Sequence, residues 1–107
     1  MIAEDDTLAG YVSVHGRPPA FEGADGRAYS VGVFSDDEPA ADGTYGASLL
    51  FLRWTADAQP DGHLESDYLA RDADPAAAEA AVGRLPLLDV KRTLDALIVR
   101  RDAGARA

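Results

Sequence analysis

The sequence predicts an α+β domain: an antiparallel β-meander of four to five strands followed by two C-terminal helices, the last packed on one sheet face. Three observations predict it. Between residues 11 and 69 apolar side chains alternate, or run in short blocks, between turns rich in Pro, Gly and Asp. After residue 74 the apolar spacing lengthens to that of a helix. The strands also precede the helices instead of alternating with them, which separates α+β from parallel α/β architectures.

In chain order, residues 1–9 are acidic and are expected to be a flexible terminus. A single α+β domain is expected over 10–101, with 102–107 as a flexible tail. YVSVHG (11–16) alternates, with Val12 and Val14 on one face and Tyr11, Ser13 and His15 on the other, and reads as a short strand. Pro18 and Pro19 end it, because proline has no N–H to give a ladder. AFEGADGRAYSVGVF (20–34) reads as a hairpin turning at Asp25-Gly26. SDDEPAADG (35–43) is a loop by composition. TYGASLLFLRWT (44–55) is the central strand candidate, since Leu49 to Leu52 are all apolar and both faces want cover.

Periodicity leaves open whether Leu50, Leu52 and Trp54 or Leu49 and Phe51 face the core, because a slip of one residue exchanges them. Pro60-Asp61-Gly62 reads as a turn, and HLESDYL (63–69) as the last strand. Asp74-Pro75 then has the form of a helix cap followed by proline at the first helical position. AAAEAAV (76–82) is a good helix former, with Gly83 as its stop. LLDVKRTLDALIVRR (87–101) places Leu87, Val90, Leu94, Leu97 and Ile98 on one stripe.

At 107 residues the chain is long enough for one real core. It has no cysteine, which excludes disulfides, thiolate metal sites and cysteine nucleophiles. The net charge of −9 argues against nucleic acid and against an anionic membrane as partners. MIAEDDTLAG lacks the apolar segment of a secretory signal, and the longest apolar run is far short of a bilayer span; a cytoplasmic location is expected. The charge is uneven: residues 1–83 hold 16 acidic against four basic residues, and 84–107 hold three against six.

Sequence motifs for phosphate, dinucleotide, zinc-protease and serine-hydrolase chemistry do not occur. What remains are constellations. His63, Glu65 and Asp67 would share one strand face and are apt ligands for a divalent metal, with His15 as a fourth candidate. Same-face neighbours on a strand stand roughly 6.5–7 Å apart, from two steps of rise, so three of them converge on one ion only through a bulge. Arg53, set between Leu52 and Trp54, is expected to pair across strands with Glu65 or Asp67.

Phe34 falls on the polar side of its strand. With Phe51 and Arg53 it forms a candidate interface, rimmed by Ser30, His63 and Glu65. The expected function is therefore a small acidic, non-catalytic binding or regulatory domain without a cofactor, acting through its sheet face on a protein partner or on a second copy as a homodimer. Two alternatives stand beside it. One is a small metal- or ligand-binding enzyme using His15, His63, Glu65 and Asp67. The other is an acidic inhibitor or immunity-type protein for a basic partner.

Overall fold

The computed structural model describes residues 6–106. Its elements run α1 (Leu8–His15), β1 (Ala20–Glu22), β2 (Ala28–Ser35), β3 (Tyr45–Trp54), β4 (Pro60–Glu65), β5 (Ala70–Asp72), α2 (Pro75–Gly83) and α3 (Leu87–Arg106). The five strands form one antiparallel sheet. The meander β1-β2-β3-β4 is in sequence order, and β5 returns to pair with the other end of β3 beside β4. The α+β class and the two C-terminal helices are those the sequence predicts.

The hairpin forms where expected. Gly26 takes a positive φ of 77°, which an L side chain resists, and the turn closes with Gly23 N–H donating to the Arg27 carbonyl at 2.8 Å. The following turn corrects the sequence reading. Pro60-Asp61-Gly62 is the start of β4, and the chain reverses earlier, where Thr55 N–H meets the Gln59 carbonyl at 2.8 Å. Proline is tolerated as the first residue of a strand, so Pro60 opens β4 without loss of a ladder bond. The expected strand 63–69 is also divided: β4 ends at Glu65, and the chain bows out at Asp67 and Tyr68 before β5, while Ser66 N–H and Leu69 N–H still donate to the Leu49 and Ala47 carbonyls of β3 at 2.9 and 2.8 Å.

Register decides which residues of β3 enter the core. Val31 lies opposite Phe51, Val33 opposite Leu49, and Phe51 opposite Leu64. These side chains share the face that α2 and α3 cover, and Leu49 and Phe51 are fully buried with Tyr29, Val31, Ala78, Val82, Val90, Leu94 and Ile98. The same α3 stripe supplies the helix side of the core. Asp74 caps α2 as its type suggests, accepting from Ala76 N–H at 3.0 Å. Gly83 is helical rather than a stop, and is buried where α2 meets α1: a Cβ there would come within 3.0 Å of the Ala9 methyl.

The segment 11–16 is the clearest error of the sequence reading, for it is helical. Thr7 is the N-cap, its Oγ1 accepting from Gly10 N–H at 3.0 Å, and Gly16 closes the helix with φ 67°. Val12 and Val14 are exposed instead of meeting α3. Leu8 is buried, and its N–H donates to the Leu85 carbonyl at 3.0 Å, tying α1 to the link between α2 and α3. Thr7, Leu8 and Ala9 therefore belong to the packed fold, and α3 continues through Arg106, past the expected end at Arg101. Residues 1–5 of the expected flexible terminus, and Ala107, lie outside the described residues.

Candidate functional site on the open sheet face

All three helices lie on one side of the layer defined by the core. The other sheet face carries Ser30, Gly32 and Phe34 from β2, Ser48, Leu50, Leu52 and Trp54 from β3, and His63 and Glu65 from β4, because Ser30 pairs with Leu52, Gly32 with Leu50 and Phe34 with Ser48, while β4 sets His63 against Leu52 and Glu65 against Leu50. On this face Phe34 is 52% exposed and Leu52 37%, and Leu50 and Trp54 are half-buried. Trp54 Nε1 donates to Ser30 Oγ at 2.9 Å, which fixes the indole along the sheet. Ser48 is buried and its hydroxyl donates to Glu65 Oε1 at 3.4 Å.

Tyr68 adds to this surface from the loop between β4 and β5. Its ring lies over Gly46, so closely that a Cβ on Gly46 would collide with it. The hydroxyl donates to Asp36 Oδ1 at 2.8 Å, and the Arg71 guanidinium sits 4.6 Å from the ring centre. The hydrogen bond to Asp36 and partial desolvation both hold the phenol above its ordinary pKa. Half the tyrosine remains exposed.

The sequence-predicted site residues scatter. Phe34 is on the open face as expected. Phe51 is not: it is wholly buried against the helices, since its register partner is Val31 and not a residue of the Phe34 set. Arg53 is also on the helix side, opposite Tyr29 and Gly62. It pairs neither with Glu65, which is on the other face, nor with Asp67. Its Nε donates to Asp61 Oδ1 at 2.8 Å and its Nη2 to the Asp61 carbonyl at 3.0 Å, while Arg27 Nη2 holds Asp61 Oδ2 at 2.6 Å. The missing Cβ of Gly62 makes room for the Arg53 guanidinium, and hydrogen bonds from Arg27 and Arg53 keep the Asp61 carboxyl below its ordinary pKa.

The proposed metal set does not assemble. His63 and Glu65 share the open face. Asp67 has left the strand and faces Arg100 of α3 at 3.7 Å. His15 ends α1, its ring 4.2 Å from that of Tyr11. Among the described residues no three His, Asp or Glu side chains are grouped to hold an ion.

On the helix side a half-buried polar latch joins the hairpin to α3. The Tyr29 hydroxyl donates to Asp25 Oδ2 at 2.6 Å, and Arg101 donates to both, at 3.3 Å to the tyrosine and 3.1 Å to Asp25. Burial opposes ionisation of Asp25, but hydrogen bonds from Tyr29, the Arg27 backbone and Arg101 outweigh it and hold the carboxyl below its ordinary value. The same burial, with the bond to Asp25, pushes the Tyr29 phenol up. The two Arg101 bonds dock α3 on the hairpin, while the bonds of Asp25 to Tyr29 and to the Arg27 N–H brace the hairpin itself, so the cluster reads as structural.

Leu50, Leu52, Trp54 and Tyr68 are apolar or aromatic members of the open face outside the interface that the sequence suggests. For Leu50, Leu52 and Trp54 the reason is the β3 register, which periodicity leaves undecided. Tyr68 joins through a contact with Gly46 that no local pattern encodes. No helix among the described residues is long and apolar enough to cross a membrane. The chain matches no protein-family model, no curated protein and no solved structure. What fold and site define is an acidic sheet-and-helix domain with one partly apolar sheet face that no described helix covers.

Proposed function

We propose that the chain is a non-catalytic binding domain that engages a protein partner through its open sheet face. One observation carries the reading: Phe34, Leu52 and Tyr68 stand exposed beside Leu50 and Trp54 on a face that α1, α2 and α3 leave uncovered. Contiguous apolar surface rimmed by polar groups, here Ser30, His63 and Glu65, is what an interface core and rim require. Aromatic anchors suit such a surface because they bring large contact area at small entropic cost.

Charge selects the partner. Asp36, Asp37, Glu38 and Asp42 lie in the loop after Phe34, and Glu22 and Glu65 are on the strands, against Arg71 beside Tyr68, whereas Lys91, Arg92, Arg100 and Arg101 belong to α3 on the opposite side with Asp89, Asp95 and Asp102. A basic partner is steered to the sheet side, and a second copy of this acidic chain is not. The inhibitor reading is one form of the same proposal, in which that basic surface is another protein's working site.

The test is capture of partners from the source cells by the wild-type chain and by the double variant Phe34→Ala/Leu52→Ala, at two ionic strengths. The expected result is a partner retained by wild type, lost by the variant, and weakened between about 0.05 and 0.5 M salt as screening shortens the reach of the field. A partner held equally by both chains refutes the assignment to this face.

A further inference from the structure

The outer edge of β2 is unlike the other sheet edges. β1 covers β2 only at Ala28–Ser30, and among the described residues no strand pairs with Val31–Ser35 on that side. The reason lies in the sequence. Continuing the β1 register would set Pro19 against Val31, and proline has no N–H to donate. Asp36 N–H bonds the Gly46 carbonyl on β3, so by strand alternation the backbone groups of Val31, Val33 and Ser35 point away from β3, toward the open edge.

Natural edges are usually blunted by charge or proline. The edge of β4 carries Pro60, His63 and Glu65, whereas β2 presents Val-Gly-Val-Phe-Ser with neither. Both flanks of this edge are hollow. On the helix side Val31 and Val33 line a groove of about 540 Å³ with Leu8, Val12, Ala76 and Glu79, and Pro18 stands at its β1 end. On the open face Ser30, Gly32, Phe34, Leu50 and Leu52 line a second hollow of about 190 Å³, which Pro18 also borders, so the edge is freest toward Val33–Ser35. Gly32, between them, has open space where a side chain would begin.

An added strand places alternate side chains on opposite faces, so one set would enter each hollow. The charge around the edge is acidic. Glu79 lines the groove, accepting from Ser35 Oγ at 3.1 Å, and Asp37 and Glu38 follow at the end of β2.

We propose that the edge Val31–Ser35 takes an extended partner segment as an added β-strand, with apolar residues at alternate positions and Lys or Arg toward the Asp37–Glu38 end. This names the binding mode of the protein-binding reading above and rests on it.

The test is selection of random ten-residue peptides, displayed on phage, against the full chain, followed by binding of the enriched peptides as synthetic ligands. The expected peptides alternate apolar residues and carry a basic one. N-methylation of their backbone should abolish binding at one set of alternate positions and spare the other, a readout that leaves the protein untouched. Val33→Pro, which removes one outward N–H, should weaken binding at least tenfold while the far-UV dichroism stays that of wild type. No enriched peptide, or peptides indifferent to methylation at every position, overturns the proposal. A concentration-dependent dimer that Val33→Pro abolishes assigns the edge to a second copy and overturns it too. Peptides sensitive to alternate methylation but indifferent to Phe34→Ala/Leu52→Ala uphold strand addition at the edge and refute both the wider face and the seating of side chains in the open-face hollow. Peptides lost with that double variant but indifferent to methylation do the reverse.

Discussion

Gly46→Ala is expected to destabilise the protein only while Tyr68 is present. The new methyl group would collide with the tyrosine ring, which must then swing away. Displacement costs the hydrogen bond to Asp36, worth about 0.5–1.5 kcal/mol net. It also costs the contact with Arg71, worth about 0.5–1 kcal/mol at an exposed site. Against this, alanine is favoured over glycine inside a strand by roughly 0.5–1 kcal/mol. The single variant should thus lose up to about 2 kcal/mol, whereas in a Tyr68→Ala background the same change should gain about 0.5–1 kcal/mol. The measurement is a four-member double-mutant cycle by urea unfolding, reading shifts in midpoint at constant slope. Equal effects of Gly46→Ala in both backgrounds would show that Tyr68 does not rest on Gly46, and would remove it from the open face.

Other expectations follow from the same contacts. Phe51→Ala should cost about 3–5 kcal/mol, since the ring is wholly buried between sheet and helices; a loss below about 1 kcal/mol in urea unfolding would contradict its placement in the core. Thr7→Ala should cost about 1 kcal/mol through loss of the α1 cap, and no change in melting temperature would argue against the helix. Asp25 has a folded pKa below its unfolded one, so its contribution to stability is present above the unfolded value and is lost as pH falls through the lower, folded value. Asp25→Asn should therefore flatten the acid limb of the stability curve below about pH 4, and an unchanged limb would refute the latch.

The legible parts of the fold were those with a local mechanism. The Asp25-Gly26 hairpin, the Asp74-Pro75 cap and the Val90–Leu94–Ile98 stripe each rest on residues close in sequence. The misreadings arose where two local patterns competed. Val12 and Val14 alternate like a strand, yet Thr7 and Gly16 bracket them as helix caps, and the caps won. On β3 both residue sets are apolar, so only the pairing of Phe51 with Val31 settles which is inside.

The candidate site was half legible for the same reason. Phe34 could be placed by parity from its own strand. Arg53 could not be given its partner, because Asp61 approaches from a β4 that begins two residues before Gly62, with a register shift at Arg53/Trp54. Tyr68 needed a loop excursion between two short strands. Nothing in HLESDYL signals that the strand breaks after Glu65.

The hydrogen bond from Leu8 to Leu85 sets an order on how the chain is completed. As the polypeptide emerges from its N-terminal end, the segment that becomes α1 has no docking surface until α2 and the turn after it have been made. The whole meander is synthesised before α2 and α3, so for that interval both its faces are bare. Both apolar layers of β3, Leu49 and Phe51 on one side and Leu50 and Leu52 on the other, are then open to solvent at once. Arrival of α3 shields one layer only, the one that holds Leu49 and Phe51, and leaves Leu50 and Leu52 on the face the helices do not cover.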